Sequence, residues 1–103
     1  MRELRRAARR LRAAHPEVAS ITLFGSFAVG VPTPRSDADI LVEVSGSLNR
    51  AERLEAAGEY ARAFQSVEVP VDVFVGASNE IAASVRDDRG LAATARRTGL
   101  RLA

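Results

Sequence analysis

Residues 37 to 44 read Asp-Ala-Asp-Ile-Leu-Val-Glu-Val, and no other stretch of the chain narrows its fold so far. The alternation is that of a β-strand. It sends Asp37 and Asp39 to one face, two residues apart, with Leu41 and Glu43 following on that face. Two carboxylates side by side at the start of a strand repel one another and cost stability unless something positive sits between them. A divalent cation answers that need, and hard oxygen ligands favour magnesium or manganese over zinc.

The surroundings supply the other parts of a site. Ile21 to Phe24 form a β-branched and apolar run that stops at Gly25, which predicts a buried strand. Gly25 to Gly30 is too short for a second strand and begins Gly-Ser. A strand entering such a turn and then a short helix points backbone N–H groups and the Ser26 hydroxyl outward, an arrangement that holds phosphate oxygens. Pro32 and Pro34 make residues 31 to 36 a loop. A third strand is expected over Val67 to Val75, broken early by Pro70, with Asp72 between Val71 and Val73 and on the face of Phe74. An acid in such a run is costly unless it is paired or bound to metal.

Helices are expected around these strands. Over residues 2 to 14, Leu4, Ala7, Ala8, Leu11 and Ala14 share one face, while Arg2, Arg5, Arg6, Arg9, Arg10 and Arg12 fall on the other and read as a solvated face. Pro16 ends this helix and leaves His15 near its C-terminal dipole, a structural position and not that of a catalytic base. Ser47 is the expected N-cap of a second helix running to about Gln65, with Leu54, Ala57, Ala61 and Phe64 as its buried stripe. Ser78 can cap a third that carries Ile81 and Val85. Asp87 or Asp88 can begin a fourth that ends at Gly99, with Leu91 and Ala95 inward.

Composition excludes much else. A chain of 103 residues has room for one domain, spanning residues 1 to 103, and none for a separate substrate-binding lobe. With no Cys and one His, thiolate metal sites, His-based metal sites and a Ser-His-Asp triad are set aside, which leaves carboxylate chemistry. No apolar run approaches a membrane span, and the N-terminus carries Arg and Glu in place of an apolar signal core, so a cytoplasmic protein without a membrane partner is expected. Residues 1 to 15 hold six Arg and one Glu, a balance of +5 against −3 for the rest. Such a segment could attract a polyphosphate or RNA. Four Phe and one Tyr argue against an aromatic platform for stacking single strands.

Gly25 and Ser26, ten intervening residues, then Asp37, one residue, and Asp39, with an apolar strand on each side, resemble the signature of the nucleotidyltransferase superfamily related to DNA polymerase beta. More narrowly, GSFAVGVPTPRSDADILVEV resembles the minimal nucleotidyltransferases, a small prokaryotic branch that includes antitoxins paired with HEPN toxins. The resemblance implies a polymerase beta-like α/β (α+β) fold, a small mixed sheet of about three strands flanked by helices. It implies that Asp37 and Asp39 hold two magnesium ions, that Asp72 completes the metal nearer the acceptor, and that Gly25 and Ser26 cradle the outer phosphates of ATP. The implied reaction is attack of an acceptor hydroxyl on the α-phosphorus of a nucleoside triphosphate, with release of pyrophosphate.

Many minimal members carry an arginine where this chain has Val29, and Arg35 or the first helix is a candidate replacement. The resemblance further implies a helical HEPN toxin as partner, modified with AMP and so neutralised, with self-association as another way to cover an open site. A non-catalytic subunit that restrains its partner by contact is the alternative. RNA-terminal transfer helped by the arginine-rich helix ranks third.

Overall fold

The computed structural model describes residues 2–25 and 38–103. Among them the helices are α1 (Arg2–Ala14), α2 (Arg50–Ala61, continued by a 3-10 turn at Arg62–Phe64), α3 (Ser78–Arg86) and α4 (Gly90–Thr98). The strands are β1 (Val18–Phe24), β2 (Ala38–Val44), β3 (Val71–Ala77) and β4 (Leu100–Arg101). They form a sheet of order β3-β2-β1-β4, with β2 and β3 parallel and the other pairs antiparallel. The expected three-strand core is thus extended by β4, whose two residues are too few to carry a periodic signal.

The alternation of the strands sorts their side chains onto two faces. Ile21, Leu23, Ile40 and Val42 are fully buried on one of them, where they pack with Leu4, Ala7, Ala8 and Leu11 of α1 and with Tyr60 and Phe64 from α2 and its extension. The other face carries Phe24 and Leu41, which pack with Ile81 of α3 and Ala95 of α4 in a second, smaller cluster. The sheet is therefore covered on both sides, as a parallel pair requires.

α1 forms with Leu4, Ala7, Ala8 and Leu11 inward as its pattern predicts and its arginines outward, Arg5 being half-buried, but Ala14, expected inward, is exposed at the helix end. α2 differs in two respects. Its N-cap is Asn49, not Ser47: the Asn49 side chain accepts from the Glu52 N–H at 2.8 Å while the Glu52 carboxylate accepts from the Asn49 N–H at 3.0 Å, a reciprocal capping box. Leu54 is 66% exposed, and the buried role expected of it falls to Tyr60. The reason lies outside the helix, because the Tyr60 hydroxyl donates to Glu17 at 2.7 Å and its ring meets the His15 ring edge-on at 5.1 Å. That hydrogen bond, above all, holds the Glu17 carboxyl below its ordinary range, and burial together with Glu17 pushes the Tyr60 phenol up.

At the other end of the chain Ser78 does not cap α3 with its side chain, since its hydroxyl donates instead to Glu43 at 2.7 Å. α4 begins at Gly90, with Arg89 in the N-cap position, and Leu91 is 39% exposed while Ala95 is buried. Gly99 ends α4 as expected. A Cβ there would strike the carbonyl of Ala95, the Thr22 methyl and the Leu23 carbonyl, so only glycine lets α4 turn tightly onto β1.

Candidate functional site

β3 begins immediately after Pro70, which cannot donate to a ladder but can accept: its carbonyl takes the Ala38 N–H at 2.8 Å. Pro70 therefore sets the register of the parallel pair. From that point Ala38 pairs with Val71, Asp39 with Asp72 and Leu41 with Phe74. Asp39 and Asp72 stand side by side on neighbouring strands, about 5 Å apart at the backbone, and their side chains share one face.

The turn after β1 closes on the same point. Phe24 pairs with Asp39 across the antiparallel ladder, and the next residue, Gly25, has φ 81°. A Cβ on Gly25 would lie 2.6 Å from the Asp39 carboxylate Oδ2. Glycine is needed there twice over, for a left-handed backbone and for an approach that leaves no room for a side chain. Phe24 and Phe74, with centroids 5.8 Å apart, lie beside the two acids on the same face of the sheet.

Of the five residues singled out from the sequence, the structure thus brings together Gly25, Asp39 and Asp72. Ser26 and Asp37 lie outside the described residues, as do Val29 and Arg35. Among the described residues no group of three or more potential metal ligands occurs.

Further along the same face, Glu43 accepts from Ser20 at 3.5 Å and from Ser78 at 2.7 Å, tying β1, β2 and the start of α3 together. Its place on the face of Asp39 was legible from period two, whereas its partners lie 23 and 35 residues away and leave no local signal. Past Phe74 a groove of about 390 Å³ opens, lined in part by Leu54, Phe74, Ile81 and Leu91.

α1 packs on the opposite side of the sheet from Asp39 and Asp72, since its buried residues meet Ile21 and Ile40. Its arginines therefore do not replace the charge missing at Val29. Among the described residues, no helix is long and apolar enough to cross a membrane.

Comparison with known proteins gives the arrangement a family. A protein from Sulfolobus solfataricus, described as a nucleotidyltransferase, superposes with TM-score 0.64 at 18% identity, over 97% of this chain and 76% of that one. A chain of a toxin–antitoxin complex with AMP-PNP gives 0.59 at 25% identity, over 96% and 72%. A complex of tri-AMPylated Shewanella oneidensis HEPN toxin with its MNT antitoxin gives 0.57 at 22%, over 100% and 72%. No curated protein matches the chain. The family model for the nucleotidyltransferase domain matches residues 2–89, so the chain belongs to the nucleotidyltransferase domain family, as its resemblance to the minimal branch implies.

Proposed function

We propose that this chain moves AMP from ATP to a hydroxyl on a partner protein, with magnesium, and that it serves as the antitoxin of a HEPN toxin. The observation that carries the chemistry is the parallel register of Asp39 and Asp72 at the end of the sheet, with the Gly25 backbone closed against Asp39. The partner rests on likeness: one structural neighbour is a toxin–antitoxin complex with AMP-PNP, and another contains an AMPylated HEPN toxin.

The residues fit a hard divalent cation. The donors are carboxylate oxygens, and the space that a Cβ would fill at Gly25 is taken by Asp39 Oδ2. Asp37, Asp39 and Asp72 would hold two magnesium ions, whose chemistry when bound would be to neutralise phosphate charge and to lower the pKa of the attacking hydroxyl. Gly25 and Ser26 would hold the outer phosphates, the glycine by close backbone approach and the serine by its hydroxyl. Asp72, exposed on the outer strand, is the carboxylate that an acceptor arriving from solvent meets, and its charge favours loss of the acceptor's proton. The acceptor oxygen then bonds to the α-phosphorus as its proton passes to the Asp72 carboxylate or to solvent, the bond from the α-phosphorus to the bridging oxygen breaks, and pyrophosphate leaves.

The test is transfer of label from α-labelled ATP into proteins of the source-cell lysate, comparing the parent with Asp39→Asn and Asp37→Asn. Label in one protein band with the parent alone is the expected result. Equal labelling by all three proteins would remove the acids from the reaction. Absence of label, with a partner still retained by every variant, would replace transfer by restraint through contact.

A further inference from the structure

The outward side of α1 plays no part in the site described above, and its composition is one-sided. Arg2, Arg6, Arg9, Arg10 and Arg12 are exposed and Arg5 is half-buried, on a helix of 13 residues. At a rise of 1.5 Å per residue the helix is about 20 Å long, and positive charge recurs about every 5 to 6 Å along it. Arg2, Arg5, Arg6, Arg9 and Arg10 alone line a shallow hollow of about 510 Å³.

Among the described residues no ion pair involves an α1 arginine, and the helix's own acid, Glu3, accepts instead from the Glu68 backbone N–H at 3.5 Å. Arg5 donates to the Arg101 carbonyl at 3.4 Å, so the strip borders another arginine on β4.

We infer that this face binds the sugar-phosphate backbone of a double-stranded nucleic acid, independently of the nucleotide site. Guanidinium forks suit phosphate oxygens, which they can contact in pairs. The other polyanions fit less well. A protein interface takes its anchors from Trp and Tyr as well as Arg, packed into desolvated pockets at its centre, and a membrane-surface helix needs large apolar side chains for insertion. Beside the arginines the exposed residues of α1 are Glu3, Ala13 and Ala14, none of them aromatic or large and apolar. The lack of aromatics also removes base stacking, which leaves a surface that reads backbone and not sequence. Because α1 lies across the sheet from Asp39 and Asp72, a duplex held there leaves those acids open to nucleotide and acceptor.

The test is fluorescence anisotropy of the full chain with a labelled RNA duplex of about 20 base pairs, in salt from about 50 to about 200 mM. Five neutralised phosphates predict a log–log slope of about −4.5 and an affinity loss of about 500-fold over that range. The variant Arg6→Gln/Arg9→Gln, in which glutamine keeps helix propensity, should lower the slope by about 2 at an unchanged urea midpoint. Asp39→Asn should leave RNA binding as it is. Failure of the parent to bind at the lowest salt, or an unchanged slope in the double variant, would overturn the inference. So would poly-glutamate or phosphatidylserine vesicles binding as tightly as RNA, which would assign the face to an acidic protein or a membrane.

Discussion

Replacing Gly25 by alanine probes the closest approach in the site. Gly25 has φ 81°, and a Cβ there would stand 2.6 Å from Asp39 Oδ2 and 3.5 Å from its Cγ. Two costs follow. Holding alanine in a left-handed conformation costs about 1 to 2 kcal/mol, and pushing the Asp39 side chain off its rotamer to clear the methyl adds about 0.5 to 1.5 kcal/mol. The sum is about 1.5 to 3.5 kcal/mol, a large fraction of a small domain's stability.

The two parts separate in a double-mutant cycle. With Asp39→Ala as background the carboxylate is gone, so Gly25→Ala should cost only the backbone share, and the coupling should equal the rotamer share. Urea midpoints of the parent, both single variants and the double variant measure it. A second readout is the stabilisation of the folded state by magnesium with ATP, which Gly25→Ala should diminish by displacing a ligand. If Gly25→Ala costs the same in both backgrounds, the Asp39 carboxylate is not held against the turn, and the geometry argued for the site fails.

Two further predictions concern the scaffold. Tyr60→Phe removes the donor that, first among several causes, holds the Glu17 carboxyl down. In the parent that lowering contributes stability above the ordinary carboxylate value of 4.5, which is lost as pH falls through the folded value. The variant should be less stable at neutral pH by about 1 kcal/mol, Glu17 being half-exposed, and the gap should close in acid. An equal gap at every pH would mean that the phenol's contribution is packing alone. Asn49→Ala removes one half of the capping box of α2 and should cost about 1 kcal/mol, read as a lower urea midpoint, while Ser47→Ala should cost little. A larger loss at Ser47 than at Asn49 would return the cap to Ser47.

Much of the fold could be read along the chain wherever one period and one burial requirement agreed. α1 has arginine on one face and Leu4, Ala7, Ala8 and Leu11 on the other, and no alternative packing hides that stripe. In β2, period two places Asp39, Leu41 and Glu43 together. The errors fall where the deciding partner is distant. α2 is rich in alanine, so several faces look equally able to face inward. The choice of Tyr60 over Leu54 depends on Glu17, 43 residues away. The sequence predicts a start of β3 at Val67 where the strand begins at Val71, because a parallel pair takes its register from the strand beside it, here through the Ala38–Pro70 hydrogen bond. In the site, Gly25 and the acids could be read as residue types. The pairing of Asp39 with Asp72 could not, since neither strand contains the information that fixes the other's register.

That pairing has a kinetic side. Asp39 and Asp72 are far apart in sequence, so their contact forms only after a long intervening loop has closed, the kind of contact that slows folding. Among the described residues β3 is also the outer strand, bonded to β2 alone. Outer strands open locally at a lower free energy than the centre of a sheet. When this sheet frays Asp72 departs first and Asp39 stays, so the lifetime of the two-carboxylate arrangement is set by the breathing of one edge and not by unfolding of the domain. Amide exchange at Asp72 and Val73 would follow that breathing directly, and a partner seated against β3 would lengthen the interval during which both carboxylates are present.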